Sequence, residues 1–307
     1  MTNIALIFPG QGSQKVGMGK EFYEFSPAAR AVFDEAVALF NSELKHVMFE
    51  GPAEKLTSTA FCQPGILTMS IAALTAFQAH PKFKNLTPRF AAGLSLGEYA
   101  ALVAAGAFSF RDALKLVERR SFFMEEATKL QSGAMAAIIG FDKKRLTEIC
   151  AQAGAQVANF NSPEQIVITG HSAKVKEACQ LIQAEGAKTV IPLEVSGAFH
   201  STLMQTAADQ FQAELKKISV HPTQIPVISN VHAQPQSQPD EILSNLAKQI
   251  TSPVQWEDSV KYMAQQGIKE FIEIGPGKVL RGLIRRIDVN LKVFNIEKPE
   301  DIEVVPF

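Results

Sequence analysis

The chain has 307 residues, 46% hydrophobic and 20% charged, a composition that suits one large domain, or a large and a small one, around a sizeable core. A formal net charge of −1 excludes the overall electrostatic pull toward nucleic acid or anionic membrane that a basic protein has. The three cysteines, Cys62, Cys150 and Cys179, lie far apart without CxxC spacing, which argues against a disulfide framework or a thiolate metal site and for reduced thiols in a cytoplasmic protein.

The amino terminus has no basic segment leading into a long apolar run, and no stretch approaches about 18 uninterrupted apolar residues, so neither a signal peptide nor a membrane span is expected. Residues 4–8 are an apolar run closed by Pro9-Gly10 and predict a fully buried strand of a parallel sheet. The loop Gly10-Gln11-Gly12-Ser13-Gln14 follows. It lacks both nucleotide fingerprints: Lys15 stands where GxGxxG needs its third glycine, and neither Gly19-Lys20-Glu21 nor Gly277-Lys278-Val279 completes a P-loop. Its N–H groups suit either an oxyanion hole or an ordinary strand-to-helix turn. Residues 25–85 predict helices with polar breaks at Gly51-Pro52 and Gln63-Pro64-Gly65, and residues 66–78 are apolar enough for a buried helix.

Phe90-Ala91-Ala92 then runs into Gly93-Leu94-Ser95-Leu96-Gly97-Glu98 and an Ala/Leu-rich segment. Read as strand, sharp turn and helix, this stretch places Ser95 on a nucleophile elbow. The flanking residues there must be tiny, and the helix aims its N–H groups and positive dipole end at the reaction centre. The plainer alternative is a strand-to-helix turn that contains a serine. A further helix starts near Ser109 or Asp112 and runs through Arg119, Arg120 and Met124.

From residue 131 the pattern becomes β-α-β-β-α-β, with strands over 134–139, 156–160, 165–169 and 188–195 and helices over 142–153 and 172–184. That is the order of a ferredoxin-like module. It is expected as a small domain, residues 131–195, inserted in a large one made of residues 1–130 and 196–307. A helix opening at 196–201, a strand over 225–230, helices over 243–250 and 257–266 and a strand over 271–274 complete the chain. The fold class is therefore α/β: a large α/β-hydrolase-like domain with a mainly parallel sheet, plus the small ferredoxin-like domain.

A serine nucleophile needs a base. Of six histidines, His200 stands apart, beside Ala198-Phe199 where the chain re-enters the large domain; it is either the base or a buried capping histidine. A triad carboxylate would fall between Ser95 and His200, but Asp112 and Asp142 both read as helix starts. A Ser-His pair oriented by a backbone or amide carbonyl fits better. Of Arg119 and Arg120, one is expected to face water and the other to be free for a substrate carboxylate, unless both lie on a solvated face.

Several stretches together carry a resemblance: Phe8-Pro9-Gly10-Gln11-Gly12-Ser13-Gln14, Gly93 to Glu98, Arg120, Gly197-Ala198-Phe199-His200, Gln249 with Pro253-Val254-Gln255-Trp256, and Glu273-Ile274-Gly275-Pro276-Gly277. In this order, over essentially the whole chain, they resemble the malonyl-CoA:acyl-carrier-protein transacylase family. The resemblance implies ping-pong malonyl transfer to acyl carrier protein for fatty acid synthesis, through a malonyl-Ser95 intermediate. It implies His200 as general base and then acid, Gln249 orienting His200 through a carbonyl oxygen, and the N–H groups of Gln11 and Leu96 as the oxyanion hole. Arg120 would hold the malonyl carboxylate, Phe199 would crowd out methylmalonyl, and Met124 and Asn161 would be further substrate contacts. No metal or bound cofactor is then needed, and the protein is expected to be a cytoplasmic monomer without nucleic-acid or membrane partners. The carrier protein, generally acidic, needs a local basic face. Lys278, Arg281, Arg285 and Arg286, at helical spacing, are the candidate patch, or else a solvated helix. Many family members have histidine before the nucleophile where this chain has Leu94; that position is not the base, so activity is expected to survive. The rival readings are a discrete acyltransferase serving a polyketide synthase, a serine esterase and a catalytically dead carrier-docking module.

Overall fold

The computed structural model describes residues 3–40, 42–195 and 197–306. Among these, the strands are β1 (Ile4–Phe8), β2 (Phe90–Gly93), β3 (Gly133–Ile139), β4 (Gln156–Ser162), β5 (Gln165–His171), β6 (Thr189–Pro192), β7 (Val227–Ile228), β8 (Pro235–Gln236), β9 (Glu270–Ile274) and β10 (Lys292–Ile296).

The apolar run at residues 4–8 becomes β1, buried at every position because helices cover both faces of its sheet. Ile4, Leu6 and Phe8 enter one core cluster, while Ala5 and Ile7 enter the other. β1 pairs in parallel with β2 and β9, β10 joins β9 in parallel, and β7 joins β2 in parallel. Only the two-residue β8 is antiparallel, giving the order β10-β9-β1-β2-β7-β8. Elements from both ends of the chain thus build one mainly parallel sheet, as expected.

A second sheet, ordered β4-β5-β3-β6, is antiparallel throughout. With the helices Lys143–Ala153 and Ser172–Ala184 it has the β-α-β-β-α-β element order read from the sequence, and it has its own core around Ile138, Leu146, Ile149, Ile168 and Ile182. The Val254 backbone ties it to the larger body, with Val254 N donating to Ala158 O at 2.8 Å and accepting at O from Phe160 N at 2.9 Å. Ser196, where the return to the large domain is expected, lies outside the described residues, as do Met1, Thr2 and Phe307.

Several local expectations need correction. The break at Gly51-Pro52 is present, but Gln63-Pro64-Gly65 lies inside one helix, Thr59–Ala79. Packing overrides propensity here: all three residues are buried, and a Cβ on Gly65 would stand 2.9 Å from Met18 Cε. By length and composition this helix is apolar enough to cross a membrane, but it is largely buried inside the protein as a core element. No helix opens at 197–201; a 3₁₀ turn at Thr202–Met204 leads into the helix Gln205–Leu215. The strand expected over 225–230 shrinks to β7. β10 was not foreseen because, as an edge strand beginning at Lys292 and carrying Asn295, it lacks a continuous apolar run.

Candidate active site

The carboxyl end of β2, the loop after β1, and the chain before Gln205 converge on Ser95. The elbow is sterically specified. A Cβ on Gly93 would lie 2.0 Å from Gly97 C and O, and one on Gly97 would lie 2.1 Å from Phe8 O. Both glycines are therefore required for β2, the turn and the helix Gly97–Ala104 to pack against β1. Among the described residues only three other than glycine have positive φ: Ser95 (52°), His200 (58°) and Ala233 (54°). Left-handed backbone costs an L-residue about 1–2 kcal/mol, so two of the three strained positions carry the suspected nucleophile and base.

Ser95 Oγ stands 2.8 Å from His200 Nε2, and His200 Nδ1 stands 2.8 Å from the backbone carbonyl of Gln249. A carbonyl only accepts, so Nδ1 carries the imidazole proton and Nε2 is left to accept from the serine. The orienting group is a main-chain oxygen, which keeps open neither the aspartate nor the side-chain amide alternative. Asp142 caps the helix Lys143–Ala153, and Asp112 lies in the first turn of the helix capped by Ser109. Burial, with the Arg120 charge adding to it, pushes the His200 pKa down to about 4. The base therefore stays neutral, hence competent, far below the usual histidine range. Single-turnover acylation is expected to show no loss of rate as pH falls through about 6.5, with the acid limb only near 4; a limb near 6.5 would show that His200 is not so held.

Arg120 is 1% exposed. Its Nη1 donates to Gln63 Oε1 at 2.6 Å, and its Nη2 donates to Ser95 Oγ at 3.0 Å and to Gln249 Oε1 at 3.2 Å. Arg119 instead points outward, 3.7 Å from Glu214. The pair thus divides as the sequence allows, one arginine in the site and one at the surface.

A cleft of about 360 Å³ opens over these groups. Gln11, Leu94, Leu96, Met124, Asn161, Phe199 and His200 are among its lining residues. Neither the Gln11 N–H nor the Leu96 N–H has a partner among the described residues, and both residues line the cleft. Asn161 Oδ1 is buried and also without a partner. Leu94 holds the turn through its backbone, N to Phe8 O at 3.1 Å and O from Gly97 N at 3.0 Å, and its side chain packs with the second core cluster. Among the described residues no three His, Cys, Asp or Glu side chains converge as a metal-ligand set.

Three polar residues went unforeseen. Asn230 fastens the elbow, Oδ1 accepting from Ser95 N and Nδ2 donating to Gly93 O, each at 2.6 Å. Gln63, read as a helix break, holds Arg120. Glu98, inside the quoted motif, is buried against Gln249, Gln236 and Asn230. Its signal was present: a lone acid in the otherwise uncharged helix Gly97–Ala104 must find partners if that helix is buried.

Residues 5–294 match the family described as acyl transferase domain. The chain belongs to that family. Within the acyl transferase family it is 47% identical over 309 residues to the malonyl CoA-acyl carrier protein transacylase of Bacillus subtilis (strain 168), covering 99% of this chain and 96% of the relative. It is 44% identical to the protein of the same name from Escherichia coli O157:H7, with 97% of each covered. The solved malonyl CoA-acyl carrier protein transacylase of Coxiella burnetii superposes with a TM-score of 0.95 at 40% identity, covering 98% of this chain and 96% of that one. A malonyl-transacylase solved in complex with a type II PKS acyl-carrier protein gives 0.93 at 36% identity, covering 98% and 97%.

Proposed function

We propose that this acyltransferase moves the malonyl group from malonyl-CoA to the phosphopantetheine thiol of acyl carrier protein, for fatty acid synthesis. One observation carries the reading: a buried guanidinium stands 3.0 Å from a nucleophile that is itself 2.8 Å from a neutral imidazole. A serine esterase has no need of that cation, whereas a malonyl thioester presents a carboxylate at a fixed short distance from its reacting carbonyl.

In the first half-reaction Ser95 Oγ passes its proton to His200 Nε2 and attacks the thioester carbon. The Gln11 and Leu96 N–H groups take the developing oxyanion. The C–S bond breaks, His200 returns the proton to the departing sulfur, and CoA leaves as the thiol. In the second half the pantetheine thiol gives its proton to His200, attacks malonyl-Ser95, and Ser95 leaves with that proton. All of these groups belong to the chain, and the reading requires no metal or cofactor. Phe199 and Met124 wall the acyl group and Asn161 offers its free oxygen to the substrate. Mixing the protein with malonyl-CoA is expected to give a malonyl mass adduct that maps to Ser95; an unmodified protein, or an adduct elsewhere, would sink the reading.

The carrier protein docks, in this reading, beside the helix Val279–Ile287. Val279 and Leu283 line the cleft, and helical geometry puts exposed Arg286 on their side. Lys278, Arg281 and Arg285 border a separate depression with Lys292, so the basic cluster spans two faces. Arg286→Glu is expected to raise the KM for carrier protein about tenfold at low salt while leaving transfer to free pantetheine unchanged; an unaltered KM would remove Arg286 from the docking face. The free cysteines suit a cytoplasmic location.

A further inference from the structure

Glu98 is 1% exposed and is the only charged residue of its helix. Its Oε1 accepts from Gln236 Nε2 at 2.6 Å; its Oε2 accepts from Gln249 Nε2 at 2.6 Å and from Asn230 N at 3.3 Å. The other end of the Gln249 amide, Oε1, accepts from Arg120 Nη2 at 3.2 Å. A single amide therefore separates a buried carboxylate from the buried guanidinium, and among the described residues Glu98 is, after the Tyr99 phenol, the group whose charge acts on Arg120 and the one carboxylate to do so. The same glutamine touches the nucleophile and the base, Nε2 donating to Ser95 O at 3.0 Å and its backbone O holding His200.

We propose that Glu98 is the resting counter-charge of Arg120 and that the malonyl carboxylate replaces it when Ser95 is acylated, so that malonylation draws a proton onto Glu98. The inference rests on the reading of Arg120 as the malonyl clamp. In a dry site an uncompensated guanidinium carries a penalty, and so do two carboxylates on one guanidinium. Burial already pushes Glu98 up to about 7, against the opposing pull of its hydrogen bonds from Gln249, Asn230 and Gln236 and of the Arg120 charge. An anion placed on Arg120 cancels that pull, and the affinity of Glu98 for a proton rises.

Among the described residues no other group nearby takes this role. Gln249, Gln236 and Asn230, from three separate elements, are neutral. Tyr99, beside Glu98 on the same helix, is pushed up by burial, and its ring lies 5.6 Å from the Arg120 guanidinium carbon. His200 stands on the far side of Gln249, bonded to its backbone, and is pushed down. The step balances: malonyl-CoA, the Ser95 hydroxyl, the Glu98 carboxylate and one solvent proton give malonyl-Ser95, CoA thiol and the Glu98 carboxylic acid. When the malonyl group departs, Glu98 gives the proton up again and returns to its resting ionisation beside Arg120.

The test is a single-turnover mix with malonyl-CoA in weak buffer containing a pH indicator, without carrier protein, the adduct on Ser95 being counted in parallel by mass. Near neutral pH the wild-type protein is expected to take up on the order of half a proton per malonyl-Ser95. Glu98→Gln preserves the chain of bonds, because the amides of Gln236 and Asn245 (Nδ2 to Gln236 Oε1 at 2.8 Å) can rotate, at the cost of the charge that Glu98 sets against Arg120. It should form the adduct without proton uptake. Acetyl-CoA, which brings no carboxylate but releases the same thiol, should give no uptake in the wild type, and this arm decides alone if Glu98→Gln does not fold. Equal uptake per adduct in Glu98→Gln and wild type, or from malonyl and acetyl donors, overturns the exchange while leaving the proposed function standing. Absence of any malonyl-Ser95 in the wild type overturns the proposed function and the exchange with it.

Discussion

Ser95→Ala is expected to abolish the covalent malonyl-enzyme and to lower malonyl transfer about 10⁵-fold or more, since no other group can form the acyl ester. The variant should remain folded. The elbow is fixed by Gly93 and Gly97 packing against β1 and by the bonds of Asn230 to Ser95 N and Gly93 O, none of which involves Oγ. What disappears is the oxygen that Arg120 Nη2 and His200 Nε2 share. The thermal midpoint is therefore expected to move by only a few degrees, on the order of 1 kcal/mol for a chain of this size. Radiolabelled malonyl transfer, intact mass and thermal unfolding on the same preparation separate the two effects. A malonyl adduct that survives in Ser95→Ala would remove Ser95 from its assigned role.

The elbow was legible in the sequence because its physics is local: a turn this tight admits only glycine at positions 93 and 97, and that requirement shows in the letters. The buried strand at 4–8 and the two small-domain hairpin elements were legible for a similar reason, since burial on one face or both writes an apolar pattern at short range. The support of the site was legible only in part: Gln249 through the resemblance, and Glu98 as a lone acid on an apolar helix. Glu98, Asn230, Gln236, Asn245 and Gln249 come from a helix, a loop, a two-residue strand and another helix, and only the folded chain brings the four amides to the carboxylate. No spacing rule connects residue 98 to residue 249. Pro64 misled for the opposite reason: local propensity called for a break, and the surrounding core outweighed it. Leu94 also makes sense only in space. Its backbone completes the turn, while its side chain packs with apolar neighbours at the edge of the cleft, so the turn does not depend on a polar side chain there.

Arg120→Ala is the second large effect expected, and it separates recognition from chemistry. The nucleophile, base and backbone donors stay in place, so acyl transfer itself should persist. The fork proposed to pair with the malonyl carboxylate is gone. A charge-assisted bond is worth about 1.5–3 kcal/mol, and a bidentate pair in a dry cleft lies at the top of that range. The preference for malonyl-CoA over acetyl-CoA, as a ratio of kcat/KM, is expected to fall about 100-fold, with most of the change in KM because the contact is made before and throughout the reaction. Hydrolysis of the acyl-enzyme should rise, since the space left beside Gln63 and Gln249 admits water to the ester. Arg120→Lys should recover only part of the preference, because an ammonium supplies a point charge without the planar fork. If both variants fold and keep the wild-type malonyl-to-acetyl ratio, the carboxylate is held elsewhere, and the buried guanidinium serves only to brace Gln63, Ser95 and Gln249.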